Sequence, residues 1–390
     1  MREIKIALPK YGISRYYCIA FAHLAYPYGI ESSKIEDNYL YLKTKSKNVG
    51  DLMAEMYEYV GEILKKYAEG VLSSSRAGKT NSKKRIKRIV EIPITGNERG
   101  ILEDIKKEIG LKPDASIVEV LKKYARQLRK MEESEIEEEY GFLEGSFTSL
   151  SIFRPELYEY TRGPFLNGLR KSELVGYDSK FITLGGFMIR LSGFIISRVG
   201  TSAFPLPEGG FEYITTLIMP ATELITRNFI ERLENIRSFY KFPNLSSPEG
   251  VIIWLSLLFG EDPPNVIYVG MRNPRGQEPA SIAYGENLPI NNYWKRASPF
   301  LKRLREDRNC GNNLLNILLS DFSDKKSLLS YLFLGSQGDM KSALEFVLKV
   351  SRKVKGIDPD SLKSREKIEE YYLLKNLLYL SEKLISSLKG

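Results

Sequence analysis

A Gly-Lys-Thr tripeptide is the part of the sequence that most directly suggests chemistry. Residues 76–80 read Arg-Ala-Gly-Lys-Thr, and Gly-Lys-Thr ends the P-loop that holds nucleotide phosphates. A complete P-loop needs a glycine five residues before Gly78 and a strand leading into it. Ser73 stands at that position, and residues 49–72 have a helical pattern. A phosphohydrolase that uses Lys79 and Thr80 is therefore an alternative, and a basic loop is the favoured interpretation.

The same tripeptide lies in a basic segment, defined as residues 73–90. The segment holds no acidic residue, and the rest of the chain carries 51 basic against 49 acidic residues, so seven of the nine net positive charges are concentrated here. Lysine and arginine side chains that neutralise phosphates release counterions, which favours nucleic-acid binding. The basic segment therefore predicts a nucleic-acid contact made by Arg76, Lys79, Lys83, Lys84, Arg85, Lys87 and Arg88.

Two other places combine cations with aromatic or amide side chains. Residues 271–277, Met-Arg-Asn-Pro-Arg-Gly-Gln, form a turn pinned by Gly and Pro whose side chains can read base edges in a groove. Tyr293 and Trp294 precede further cations, and an aromatic ring there can stack on a base. A buried Trp294 at a domain seam and a 271–277 loop without function are the competing interpretations. The candidate contacts are Arg272, Asn273, Arg275, Gln277, Trp294, Lys295 and Arg296.

Catalytic and metal sites have weaker support. The single histidine, His23, lies on an aromatic helical face and is better explained as a packed core residue, and no Ser-His-Asp set can be built with it. Asp321 with Asp324, or Asp37 with Asp262, could bind a metal in a nuclease, but their spacing does not single them out. We therefore expect no enzyme activity, no metal and no cofactor.

Composition narrows the class of protein. Two distant cysteines exclude a disulfide framework and a zinc knuckle. The apolar run 181–199 contains Arg190, Arg198 and three glycines, which predicts buried core and not a membrane span. The N-terminus alternates like a strand and has no signal-peptide core. We expect a cytoplasmic protein without membrane contact, and scarce glutamine beside abundant lysine and glutamate is typical of thermophilic archaea.

Hydrophobic periodicity predicts the elements that would position these residues. Strands are expected at 3–8 and 39–43, helices at 14–26 and 49–72, and a strand at 86–93. A capping box of Ser116 and Glu119 predicts a helix that runs to about residue 140, basic in its first half and acidic in its second. Strands are expected within 181–199, 211–219 and 266–269, and helices at 223–239 and 248–259.

From residue 294 onward the pattern is almost wholly helical, with leucines at helical spacing. The sequence therefore predicts an α+β fold with mixed α/β N-terminal and central regions and a C-terminal helical bundle. We expect an N-terminal α/β domain at 1–141, a central α+β domain at 142–292 and the bundle at 293–390.

This layout resembles that of the large subunit of the archaeal type I-A CRISPR interference complex, known as Cascade. The resemblance rests on the mixed α/β front, the middle broken by Gly and Pro at residues 200–210 and the helical end, and it covers most of the chain without a short diagnostic motif. It implies a subunit of a ribonucleoprotein in which guide RNA reads the sequence of the DNA. It further implies that the large subunit helps to recognise the flanking motif and to open the duplex, and that a recruited helicase-nuclease cuts.

The resemblance and the basic segment together predict a non-enzymatic subunit that contacts double-stranded target DNA near the flanking motif and stabilises the opened duplex. Its partners would be guide RNA, other Cascade subunits and a helicase-nuclease. A phosphohydrolase or metal nuclease, and a standalone nucleic-acid-binding or scaffold protein, are the alternative functions.

Overall fold

The computed structural model describes residues 2–10, 12–44, 48–75, 91–155, 181–207, 209–221, 228–237, 239, 242–355 and 365–388. They fold into two compact units. The first comprises residues 1–241 and 267–285, and the second comprises residues 242–266 and 286–390. The α+β class and the helical C-terminal region are confirmed. The finer division into three domains stays a prediction.

The N-terminal part of the first unit is a three-stranded antiparallel sheet with helices against it. Strands β1 (Arg2–Ala7), β2 (Ile30–Glu36) and β3 (Tyr39–Thr44) lie in the order β1-β3-β2. Alternation places Ile4 and Ile6 opposite Leu42 and Leu40 on the buried face. Helix α1 (Ile13–Ala22) continues as a 3₁₀ turn to Tyr28, and Gly29, with φ of 95°, ends it.

Helix α2 (Val49–Ser75) is followed, beyond residue 90, by α3 (Glu98–Glu108), α4 (Ile117–Leu128) and α5 (Glu133–Gly141). The capping box of Ser116 and Glu119 is confirmed. The prediction of one helix to about residue 140 is wrong, because Glu132 adopts an extended conformation and forms a second capping box with Glu135 that begins α5. The predicted strand at 86–93 lies outside the described residues up to residue 90, and residues 91–93 form no strand.

The prediction of strands within residues 181–199 is wrong for most of the run. Strand β4 (Phe147–Thr148) pairs with a short β5 (Phe181–Ile182), and α6 (Leu184–Ser197) follows. Thr183 caps α6 by accepting a hydrogen bond from the Gly186 amide at 2.9 Å. Nearly every side chain of α6 is buried, so the helix has no polar face and therefore no visible period.

The first unit ends in a four-stranded sheet with the order β6-β7-β8-β9. Its strands are β6 (Arg198–Pro205), β7 (Phe211–Pro220), β8 (Val266–Arg272) and β9 (Ser281–Leu288), and β6 and β7 are antiparallel. The strands predicted at 211–219 and 266–269 are confirmed. Of the helix predicted at 223–239, α7 (Phe229–Arg237) is described, and residues 222–227 lie outside the described residues.

The second unit is built from helices around α8 (Pro248–Phe259), which is apolar almost all round and buried. Gly250 allows the Leu318 and Leu329 side chains to approach the α8 backbone closely. The helices that follow α8 are α9 (Ile290–Arg305), α10 (Cys310–Leu319), α11 (Lys325–Ser336), α12 (Met340–Lys355) and α13 (Arg365–Leu388). Within the described residues, no helix has the length and apolar character needed to cross a membrane.

Candidate nucleic-acid interface

The cations of the basic segment, Arg76, Lys79, Lys83, Lys84, Arg85, Lys87 and Arg88, lie outside the described residues. The chain on either side of the segment is described, and a single buried side chain contacts both sides. Arg198, 2% exposed at the start of β6, donates from Nη1 to the Glu91 carbonyl at 3.2 Å. Its guanidinium carbon lies 4.8 Å from the ring centroid of Tyr67 on α2. Arg198 therefore joins the two flanks of the basic segment to the sheet.

A second guanidinium, that of Arg237, contacts the backbone at Arg198. Arg237, near the end of α7, donates from Nε to the Arg198 carbonyl at 3.0 Å and from Nη2 to the Ile196 carbonyl. Burial lowers the pKa of Arg237 to about 10, although Glu234 and two nearby tyrosines oppose the shift. Burial likewise lowers the pKa of Arg198, opposed by Tyr67. Both side chains still carry a positive charge at neutral pH, so fixed positive charge lies beside Tyr67 and Glu91, which flank the basic segment.

Residues 271–277 begin at the end of β8, in the connection to β9. The Arg272 guanidinium is paired with the Glu212 carboxylate, with 3.2 Å between Nε and Oε1. Arg275 and Glu278 exchange backbone hydrogen bonds of 3.1 and 2.9 Å around Gly276, whose φ of 62° suits glycine in a tight turn. Arg275 and Gln277 are exposed, so the turn presents both side chains at its tip.

Asn273 is held more firmly than its neighbours in this loop. Its backbone amide donates to the Tyr213 carbonyl at 2.8 Å, and its Oδ1 accepts from the Thr215 hydroxyl at 2.7 Å. Thr215 also contacts the Thr201 hydroxyl at 3.1 Å, and Thr201 accepts from Arg198 Nη2 at 3.3 Å. A row of polar side chains thus runs from Arg198 to the 271–277 loop.

The third predicted group lies in the second unit, on α9. Lys295 and Arg296 are exposed, and Trp294 is half-buried. Tyr293 is buried, because its ring stacks on Phe333 at 4.8 Å between centroids and its hydroxyl hydrogen-bonds with Ser336 at 2.7 Å. Tyr293 therefore belongs to the core and offers no surface for a base, whereas Trp294 remains a candidate.

His23 lies in the core, and three of the four candidate aspartates lie in turns. His23 is buried with its ring centroid 4.9 Å from that of Phe229, which confirms its place in the core. Asp37, Asp262 and Asp324 have φ between 44° and 64°, as turn residues do, and Asp324 pairs with Lys353 at 3.5 Å. Within the described ranges, no three histidine, cysteine, aspartate or glutamate side chains are grouped as metal ligands.

A groove on the first unit was not predicted from the sequence. It encloses about 500 Å³ along α2 and α4, and its lining combines tyrosines and glutamates with two cations. Beside the groove, Arg129, which follows α4, makes a bidentate pair with Glu58 on α2 at 2.7 and 2.8 Å, and Lys122 on α4 lies 3.8 Å from Glu62 on α2. These two cations are thus paired with acids of α2.

Sequence reasoning also missed Arg198, Arg237 and the threonines beside them. One signal was present, because Arg198 interrupts an apolar run, and a cation within buried sequence must find polar partners in the fold. Its partners, Glu91, Tyr67 and Thr201, lie up to 131 positions away in sequence. Only the tertiary structure therefore shows what Arg198 does.

The comparison with known proteins gives the class of the protein as CRISPR-associated. Residues 58–298 match the family model described as CRISPR-associated protein, CsaX. Because these residues make up more than half of the chain, the protein belongs to the CsaX family. The matched stretch includes the basic segment, Arg198, the 271–277 loop and Trp294. No curated protein matches the chain.

Proposed function

We propose that this protein is a non-enzymatic DNA-binding subunit of a CRISPR surveillance ribonucleoprotein, comparable in role to the large subunit of type I-A Cascade. It contacts double-stranded target DNA near the flanking motif and stabilises the opened duplex. The observation that carries the proposal is the concentration of seven cations and no acid in residues 73–90. Membership of a CRISPR-associated family supports a role in CRISPR defence.

The chemistry of the basic segment favours affinity without sequence specificity. Each lysine or arginine that neutralises a phosphate releases a counterion, whatever the base attached to it. Specificity then comes from pairing between the guide RNA and the target strand. The 271–277 loop and the exposed cations beside Trp294 supply further contacts with DNA. The side chains of the loop are the ones suited to hydrogen bonding with base edges.

This role requires partners. The guide RNA and other Cascade subunits form the complex, the C-terminal helical region packs on neighbouring subunits, and a recruited helicase-nuclease cuts the DNA. The chain itself needs no cofactor for this task and works in the cytoplasm. Membership of a CRISPR-associated family supports partnership with other CRISPR components.

The proposal is tested by neutralising five cations of the basic segment together. In this variant Lys83, Lys84, Arg85, Lys87 and Arg88 become glutamine, and the full-length chain is titrated with fluorescent duplex and single-stranded DNA. We expect affinity for both to fall at least tenfold, since several phosphate contacts are lost together.

A matched control removes the same charge elsewhere. It replaces five exposed lysines of the described surface with glutamine: Lys107, Lys112, Lys130, Lys326 and Lys341. This control should bind DNA within about threefold of the natural chain, because spread charge contributes only long-range attraction. Equal loss of affinity in both variants, or in neither, would overturn the proposal.

A further inference from the structure

The polar row between Arg198 and Asn273 consists of three hydrogen bonds. Arg198 Nη2 to Thr201 Oγ1 is 3.3 Å, Thr201 Oγ1 to Thr215 Oγ1 is 3.1 Å, and Thr215 Oγ1 to Asn273 Oδ1 is 2.7 Å. Arg198, Thr201 and Thr215 are each at most 6% exposed. Water therefore has little access to the row, and each side chain depends on its neighbours for hydrogen bonding.

The direction of every bond in this row follows from its last member. The Asn273 atom that faces the row is the carbonyl Oδ1, which can only accept, so the Thr215 hydroxyl donates its single hydrogen to it. The hydrogen between the two hydroxyls must then come from Thr201, which in turn accepts from the Arg198 guanidinium. The amide NH₂ of Asn273 accordingly faces away from the row.

A backbone hydrogen bond fixes the position of Asn273. The Asn273 amide donates to the Tyr213 carbonyl at 2.8 Å, which fixes the residue at the point where β8 becomes the loop. Asn273 is half-buried, and the exposed side chains of Arg275 and Gln277 follow it. Among the described residues, Thr215 is the protein partner of the Asn273 side chain, so its two amide hydrogens remain for a ligand.

We infer that Asn273 is a specificity-determining residue that offers nucleic acid only hydrogen-bond donors. Asparagine that recognises adenine uses its oxygen and its nitrogen together, and here the oxygen is committed to Thr215. The 271–277 loop should therefore bind acceptor atoms, such as guanine O6 and N7 or phosphate oxygens, and Arg275 is a donor of the same kind. This inference rests on the proposed function, because the loop must meet nucleic acid.

The orientation is tested by stability alone, without DNA. Asn273→Asp keeps an oxygen toward Thr215, so the thermal midpoint of the full-length chain should stay within about 1 °C. Asn273→Ala and Thr215→Val remove the bond and should each lower it by about 2–4 °C, whereas Thr215→Ser should not. If Asn273→Asp lowered the midpoint as much as Asn273→Ala, the orientation would be wrong.

The recognition is tested by affinity for duplex DNA. Asn273→Asp replaces the donor NH₂ by a carboxylate oxygen, which then faces an acceptor atom of the DNA. DNA binding should weaken about tenfold, the effect expected when repulsion replaces one hydrogen bond. Gln277→Glu makes the same charge change on the same loop at an exposed side chain that can rotate away, and it should weaken binding less than threefold. Thr215→Val removes the hydrogen bond that orients Asn273 and should weaken DNA binding by an intermediate factor. Thr215→Ser keeps that hydrogen bond and should bind like the natural chain.

Duplexes with 7-deazaguanine, which lacks N7, test guanine N7 as the acceptor. If the acceptor is guanine N7, the penalty of Asn273→Asp shrinks on that duplex, and an unchanged penalty assigns the contact to guanine O6 or a phosphate oxygen. Equal penalties for Asn273→Asp and Gln277→Glu would overturn this inference while leaving the proposed function intact. Absence of DNA binding by the natural chain would overturn both.

Discussion

At the scale of single residues, three buried tyrosines of the first unit satisfy one another's hydroxyl groups. Tyr57, Tyr124 and Tyr140 are all buried, and Tyr140 lies at the centre of the three, 3.0 Å from the Tyr124 hydroxyl and 3.1 Å from that of Tyr57. Burying these rings contributes apolar area, but their hydroxyls must find each other, since a buried hydroxyl without a partner costs free energy.

The central position of Tyr140 gives the first prediction. Tyr140→Phe removes the partner of two buried hydroxyls and should lower the free energy of unfolding by about 2–3 kcal/mol, whereas Tyr124→Phe removes one partner and should cost about 1 kcal/mol. Urea unfolding of the two variants measures this difference. Equal costs would show that Tyr140 is not the centre of the cluster.

The same three tyrosines make stability depend on pH in the alkaline range. Burial raises the pKa of each of them well above the usual value. Near pH 10 the unfolded chain begins to lose these protons while the folded chain keeps them, so the unfolded state binds fewer protons and stability falls as pH rises. Urea unfolding should therefore show constant stability from pH 8 to 9 and a decline above about pH 10. Stability that rose above pH 10 would contradict this.

At the scale of elements, the first unit depends on the close crossing of α1 and α6. A Cβ added at Gly193 would lie 2.1 Å from the Tyr17 carbonyl oxygen, which is backbone and cannot move aside. Gly193→Ala should therefore force the two helices apart and cost at least about 3 kcal/mol. Gly100, on α3, has open space around its Cα, and Gly100→Ala should leave stability unchanged or raise it by up to about 1 kcal/mol. Thermal unfolding of both variants checks the contrast, and similar effects would contradict it.

The elements that were predicted correctly from the sequence are those whose residue pattern is compatible with only one type of secondary structure. Alternating apolar residues indicated β1 and β3, the box of Ser116 and Glu119 marked the start of α4, and the leucine spacing showed the C-terminal helices. The prediction for residues 181–199 was wrong because a helix buried on all sides shows no hydrophobic periodicity in its sequence. The prediction of one long helix at 117–140 was wrong because Glu132 can begin a helix as well as continue one. Only the packing of the fold decides which of these it does.

The candidate site was predictable only in part, for a related reason. Local concentration of charge and loop composition are visible in a sequence, so the basic segment and residues 271–277 could be named. The partners of Arg198 and the orientation of Asn273 depend on contacts between β6, β7 and β8 across distant parts of the sequence. Neither periodicity nor composition encodes which atom of an amide faces inward.

At the scale of the whole molecule, an assay of phosphate release and DNA nicking distinguishes the proposed function from the enzyme alternative. A P-loop-like phosphohydrolase would depend on Lys79, since that side chain would neutralise the phosphate charge. We expect no phosphate release from ATP or GTP, and no metal-dependent nicking of DNA, above the level of a Lys79→Ala variant. Turnover that disappears in Lys79→Ala would favour the enzyme.

The central claim is that the basic segment binds DNA by neutralising phosphates, and the salt dependence of binding tests it most directly. If about five phosphates are engaged, the logarithm of the affinity for duplex DNA should fall with the logarithm of salt concentration with a slope of roughly −4 to −5. The variant with glutamine at Lys83, Lys84, Arg85, Lys87 and Arg88 should have a much shallower slope, because most of the phosphate contacts are lost, while the matched surface control keeps the original slope. A five-fold variant that kept the slope of the natural chain would contradict the claim.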